Sequence, residues 1–242
     1  MRRRVSRLGW WFGALLLLFA LARLPAVLFI GQLPAPWQAG SVEGTLWQGR
    51  IGQLGVNGMQ LLQDVRWQWQ PAALLRGELA WQLSTRHRDQ PGQARLVLGA
   101  GGARAEAVAL QLPAAPLFAL DKRLAAIQLG GELRIDAPLL SRTDWNATVV
   151  QWLRANAMVT PNANPFGDYR ITLGREGSVP TWQIAPLGGT LAIVGNGRLT
   201  GTGPQGELTF TPASGQEAQF APLLNLLGGS GNARTLRLDP GR

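Results

Sequence analysis

The residues able to do chemistry are few, and their types exclude more than they propose. His87 is the only histidine, and there is no cysteine. A zinc or iron site therefore lacks its usual imidazole and thiolate ligands. A Ser-His-Asp triad would have to use His87, and no Gly-x-Ser-x-Gly elbow occurs to present a serine. No Gly-x-x-x-x-Gly-Lys-Ser/Thr is found, and no Gly-x-Gly-x-x-Gly lies between a strand and a helix. Gly195-Asn-Gly197 and Gly201-Thr-Gly203 read as hairpin-like turns, and Gly229-Ser230-Gly231 as a turn after a helix. Paired carboxylates are the remaining option. Glu132 and Asp136 share one face of a strand, where a solvated surface is the expectation. His87, in the polar stretch Thr85 to Asp89, reads as a solvated loop residue. The expectation is no catalytic, no cofactor-binding and no metal-ligating residue, and a function other than an enzyme's.

The elements that would position any site are strands. Val65, Trp67 and Trp69 alternate with Arg66, Gln68 and Gln70, a period of two that marks a half-buried strand. Leu79, Trp81, Leu83 and Thr85 share a face of the next one. Between them Pro71 to Gly77 has the signature of a helical turn, with proline first and glycine last. Comparable segments are Val42–Gly49, Arg95–Leu98, Val108–Leu112, Gly131–Asp136, Trp145–Leu153, Tyr169–Leu173, Thr181–Ile184, Gly189–Ile193, Arg198–Thr202, Glu207–Thr211 and Thr235–Leu238. Pro116–Ile127 has helical spacing, with Leu117, Leu120, Leu124 and Ile127 on one stripe. Phe220–Leu227 reads as a short helix stopped by Gly228-Gly229.

A motif recurs without a fixed period: Gly44-Thr-Leu, Gly77-Glu-Leu, Gly131-Glu-Leu, Gly189-Thr-Leu and Gly206-Glu-Leu. It reads as a turn glycine launching a strand whose second residue points inward. Mainly β structure follows: antiparallel sheet or sheets of short, glycine-bounded strands with a few short helices. Trp47, Trp67, Trp69, Trp81, Trp145, Trp152 and Trp182 fall in these strands and are expected to pack in the core or on a sheet face.

The stretch Leu8 to Ile30 is apolar apart from Arg23, and as a helix it would reach about 35 Å, enough to cross a bilayer core. Arg2, Arg3, Arg4 and Arg7 precede it with no acid among them, which predicts a cytoplasmic N-terminus and an exported remainder. Arg23 can snorkel to the outer interface, so the core of the span is nearer Leu8 to Ala22. A cleavable signal peptide, with Ala20-Leu21-Ala22 as its small-residue site, and a buried core helix are the alternatives. The organisation expected is a basic leader (1–7), a transmembrane helix (8–30), a Pro-rich connector (31–40) and a β-rich domain (41–242). The Pro-containing loop 156–167 is a candidate subdomain boundary.

The net charge of +9 is mostly topogenic. Setting aside Arg2, Arg3, Arg4, Arg7 and Arg23 leaves 18 basic and 14 acidic residues, without a basic run. Nucleic-acid binding is therefore excluded as an expectation. Without cysteine, stability must come from packing and sheet hydrogen bonds rather than from disulfides.

A series of runs, taken in order, carries a family resemblance. The first is Val42-Glu-Gly-Thr-Leu-Trp-Gln-Gly49, with Gly44, Leu46, Trp47 and Gly49. Next comes Leu61 to Trp67, followed by Pro71-Ala-Ala-Leu-Leu-Arg-Gly77. The tail then has Gly206-Glu-Leu-Thr-Phe-Thr-Pro212, Ala221 to Gly228 with Leu224 and Leu227, and Thr235-Leu-Arg-Leu238. Together with the basic leader and apolar span, this resembles bacterial type II secretion system protein N, of the general secretion pathway. The resemblance implies a non-enzymatic inner-membrane accessory component with a periplasmic domain. Its partners would be other secretion components in the inner membrane or periplasm, and the lipid bilayer. A likeness to the AsmA-like group also implies an alternative, an envelope protein that binds or transfers lipid in an apolar groove. No cofactor and no catalytic residue are implied.

Overall fold

Strand pairing, not helix packing, organises the chain. The computed structural model describes residues 2–31, 33–201, 203–227 and 234–238, with side chains for all of these but 2–8, 122 and 123. Thirteen strands form one antiparallel sheet in sequence order, each pairing with the next. They are β1 (Trp37–Gly44), β2 (Gln48–Val56), β3 (Met59–Trp69), β4 (Leu79–His87), β5 (Gln90–Gly99), β6 (Gly102–Pro113), β7 (Leu129–Ser141), β8 (Thr148–Ala157), β9 (Gly167–Glu176), β10 (Val179–Gly189), β11 (Leu191–Thr200), β12 (Gly203–Pro212) and β13 (Arg234–Leu238). Such an order needs only hairpin-like connections, as expected where there are few helices long enough for crossovers. Among the described residues five α-helical segments accompany the sheet: α1 (Arg2–Ala22), α2 (Val27–Ile30), α3 (Ala115–Phe118), α4 (Lys122–Ile127) and α5 (Glu217–Leu226).

The apolar faces of β2, β3 and β6 to β12 contribute to one buried cluster with Ala163, Phe166 and α5. Helix α3 touches β2, β3 and β7, and β3 touches β6, so the sheet curls to bring strands that are not neighbours in the order onto one core. Phe220 is fully buried, with Leu223 and Leu224 almost so, and together they fill the inner face beside Phe166. On the other side Phe118 of α3 meets the Trp152 ring edge-on at 5.1 Å. Trp152 also packs against Phe166 and Tyr169, which ties β8 and β9 into the same core across the 156–167 connection.

Several local expectations are corrected. The strands are not short: twelve of the thirteen run from 8 to 13 residues. Glycines read as strand ends lie inside strands instead. Gly131 falls in β7 where the register slips, and Gly206 lies within β12. Gly195 and Gly197 are not a turn; they pair with Leu208 and Gly206 inside β11. All five glycines of the recurring motif have positive φ: Gly44 at 94°, Gly77 at 69°, Gly131 at 108°, Gly189 at 123° and Gly206 at 151°. That backbone state, and not a strand start, is what the motif has in common.

The 116–127 stripe is broken into α3 and α4. Asp121 Oδ1 accepts the Leu124 N–H at 3.4 Å and restarts the helix, leaving Leu120 exposed. Trp145 precedes β8 instead of lying in it. Pro71–Arg76 is a 3-10 turn with Gly77 left-handed at its end. The turns read at 228–231 lie outside the described residues.

The apolar N-terminal stretch is not one helix from 8 to 30. After Ala22 the chain opens, Pro25 bridges to Thr45, and Ala26 is buried before the short turn α2. Along α1, Trp10, Trp11, Phe12, Leu15 to Phe19 and Leu21 are all exposed. Among the residues whose side chains are described, no helix is long and apolar enough to cross a membrane.

Candidate functional site at the helix–sheet junction

The site is a chain corner at Thr45-Leu46-Trp47, between β1 and β2, held by four tryptophans. Three successive carbonyls of the corner each receive a donor. Trp67 Nε1 donates to Thr45 O at 3.0 Å, Trp81 Nε1 to Leu46 O at 3.0 Å, and the Trp69 N–H to Trp47 O at 2.6 Å. Backbone carbonyls left unpaired in a half-buried corner would each be destabilising, so two indoles and one backbone N–H supply the donors there. Trp47 Nε1 in turn donates to Leu21 O at 2.8 Å. Leu21 lies in the last turn of α1, where carbonyls have no partner within the helix.

Two backbone bonds complete the junction. Leu46 N donates to Leu24 O at 2.9 Å, and Ala26 N to Gly44 O at 3.1 Å. The helix is thus wired to the sheet by side chain and backbone together. The Trp47 and Trp69 rings pack at a tilt of 56°, 4.7 Å between centroids.

The glycines explain how the rings come so close. Gly44 and Gly49 face each other across β1 and β2. A Cβ at Gly49 would lie 2.3 Å from Trp67 Cζ2, so only glycine lets the indole lie over this pair. The same device recurs at Gly197 and Gly206. They pair across β11 and β12, a Cβ at Gly206 would lie 2.9 Å from Trp182 Cζ2, and Trp182 Nε1 donates to Gln205 O at 3.3 Å. Tyr169 plays the part at Gly167 and Gly189. Its hydroxyl donates to Leu191 O at 2.6 Å, and its burial pushes the phenol above its usual range. An aromatic ring covering a glycine in a strand restores the packing that the missing side chain loses.

Of the residues singled out in the sequence, Gly44, Leu46, Trp47, Gly49 and Trp67 meet at this corner. Pro71 and Gly77 bound the turn that returns the chain from Trp69 to Trp81. Leu224, on α5, and Leu227, at its end, lie apart against the core, and Gly206 lies in β12 beside the Trp182 ring. Arg2, Arg3, Arg4 and Arg7 belong to α1, and their side chains lie outside the described residues. Arg23, read in the sequence as snorkelling to the outer interface, has its guanidinium 5.3 Å from the centre of the Phe19 ring beside the corner.

A second polar centre was read differently in the sequence. Glu132 is not on a solvated face: it is 6% exposed. Its Oε1 accepts from both Arg88 and Arg154, and its Oε2 from Gln111 at 2.7 Å. Arg88 caps the β4–β5 hairpin and Arg154 lies on β8, so one carboxylate joins strands from both sides of β7. Asp136 stays partly exposed and pairs with Arg134. His87 is not a loop residue. It ends β4, half-buried, with Nε2 shielded and without a hydrogen-bond partner. Burial holds its pKa below the usual 6.5, with the Glu132 charge pulling the other way. An open cleft of about 410 Å³ adjoins Glu132, Arg88 and Arg154. Further along the sheet Glu106 is held by Arg104 and Arg95, and Glu78 by Arg104. The Arg104 guanidinium lowers both carboxyl pKa values. Carboxylates clamped by arginines in this way are stabilised as anions, the reverse of what a general acid needs.

The fold defines a class, a single wrapped meander of thirteen antiparallel strands joined to an N-terminal helix; no solved structure matches the chain. The sequence model of the family described as type II secretion system (T2SS), protein N, matches residues 35–238, and the chain belongs to that family. It is similar to the "Type II secretion system protein N" of Vibrio cholerae serotype O1 (strain ATCC 39315 / El Tor Inaba N16961), with 34% identity over 121 residues. That match covers 47% of this chain and 46% of the relative, so the chain spans less than half the length of the relative it matches. The family is a component of the type II secretion machinery, a protein-transport system.

Proposed function

We propose that this chain is a non-enzymatic accessory component of the secretion machinery, held in the inner membrane by α1 and working through protein contacts of its periplasmic sheet. The observation that carries the reading is the junction itself. An apolar helix with large side chains exposed all round is wired to a sheet corner by Trp47, Leu24 and Ala26. Such a helix is stable only where something apolar surrounds it, and the basic leader orients it with the N-terminus in the cytoplasm. The contacts go to other secretion components in the inner membrane or periplasm.

Binding an acyl chain in an AsmA-like groove would need the inner face of the sheet. Phe220, Leu223, Leu224, Phe166 and Phe118 occupy that face, so α5 would have to leave first. This favours the contact role over lipid transfer.

The test is to delete the gene and measure export of a substrate of the secretion system, with the full chain supplied in trans. Export that falls and is restored supports the proposal. Export unchanged by the deletion overturns it.

A further inference from the structure

The corner leaves open a cleft of about 480 Å³ where α1 meets the sheet, lined by Arg23, Thr45, Trp47, Gln48, Gln68 and Trp69. Its chemistry is that of an anion receptor. Arg23 is exposed and, among the described residues, has no carboxylate partner; its guanidinium lies over the Phe19 ring. Gln48 offers an exposed amide beside it. No acid lines the cleft. The negative end of α1 is already quenched there by Trp47 Nε1 on Leu21 O. Indoles and an arginine side by side are the groups that settle at the headgroup level of a bilayer.

The neighbouring surface says which anion. The register of β2, β3 and β4 puts the 3-10 turn at 71–76 at the same end of the sheet as the corner. That turn exposes Leu75 at 92% and Leu74 at 51%. Val27, Leu28 and Phe29 of α2, adjoining the corner, are each more than half exposed. An apolar rim around a cationic, tryptophan-lined cleft is complementary to an interface with acyl chains below and phosphates beside it.

We propose that the Arg23–Trp47–Trp69 cleft binds the phosphate of a phospholipid headgroup in the outer leaflet, so that the sheet stands on the membrane in a fixed orientation. The proposal rests on the reading of α1 as the anchor. Arg23 supplies the charge-assisted hydrogen bonds, and the Gln48 and Gln68 amides line the rest of the cleft.

The test uses the full chain in nanodiscs of phosphatidylethanolamine and phosphatidylglycerol that contain a phospholipid photoreactive in its headgroup. Adducts are mapped by mass spectrometry. The expected result is labelling at 45–48 and 67–69, reduced about fivefold or more by Arg23→Gln, as for loss of one charge-assisted hydrogen bond. Gln48→Glu should reduce it too, by setting a carboxylate against the phosphate. Arg23→Lys should retain part of it. Labelling that ignores all three variants overturns the proposal. Competition by inorganic phosphate also overturns it, by showing a site for the free ion. Quenching of Trp10 and Trp11 by lipids brominated in the acyl chain separates the two readings. Quenching without labelling of the cleft sinks the headgroup site and leaves the anchor standing; no quenching sinks the anchor.

Discussion

At the scale of single residues, the chain uses its few buried polar groups as fasteners. Glu132 joins β4–β5, β6 and β8 through Arg88, Gln111 and Arg154. His87 lies close by, half-buried and held neutral by burial, with Glu132 and Arg88 the charged groups that act on it. The sign of the pH dependence follows. An unfolded histidine takes up its proton near the usual 6.5, while the folded one resists, so protonation favours unfolding. The stability tied to His87 is complete above pH 6.5 and is lost as the pH falls below it. Urea unfolding of the full chain between pH 7 and pH 5 should show stability declining, and His87→Gln should flatten that decline. A second loss follows at lower pH. Glu78 and Glu106 titrate below their usual 4.5 when folded, so what they contribute is present above 4.5 and disappears as the pH drops through their lowered values. His87 as a strand residue was not legible. Its neighbours are polar, and what ties this hairpin end down is the Arg88–Glu132 pair, to a strand distant in sequence.

At the scale of elements, the governing device is the aromatic ring over a glycine pair. It appears at Gly44 and Gly49 under Trp67, and at Gly197 and Gly206 under Trp182. Alanine at Gly49 would force its Cβ to 2.3 Å from the ring and 2.4 Å from Glu43 O. Gly49→Ala should therefore lower unfolding stability by about 1–3 kcal/mol, the range of an overpacked site. Gly188→Ala, where a Cβ meets nothing within 4 Å, should stay within about 0.5 kcal/mol of the parent. Urea midpoints followed by tryptophan fluorescence compare the two. The existence of strands here was legible, because alternation in segments such as 65–70 reports a face directly. Their lengths were not. Glycine looks like an ending in a sequence, yet at Gly131 and Gly206 positive φ bends a strand that continues. The split of α3 from α4 was hidden for a similar reason: the Leu stripe continues across Asp121, whose carboxylate begins a second helix.

At the scale of the whole molecule, one sheet in sequence order wraps its own helices and presents one corner to α1. The tail residues Phe220, Leu223 and Leu224 fill the inner face, so the two ends of the family match serve different purposes. The N-terminal motif fastens the helix to the sheet, and the C-terminal one seals the core. Order along the chain was readable because motifs keep their sequence positions. The convergence of Trp67, Trp69 and Trp81 on the three adjacent carbonyls of Thr45, Leu46 and Trp47 was not, because it depends on how three strands lie side by side. The central claim is that this sheet lies outside the cytoplasmic membrane with α1 holding it there. Because the chain has no cysteine, one introduced thiol reports its own location. Ser178, exposed in the β9–β10 hairpin, is suited to it. A membrane-impermeant maleimide added to cells with a permeabilised outer membrane should label Ser178→Cys while the inner membrane is intact. Labelling that appears only after the inner membrane is broken would contradict the account.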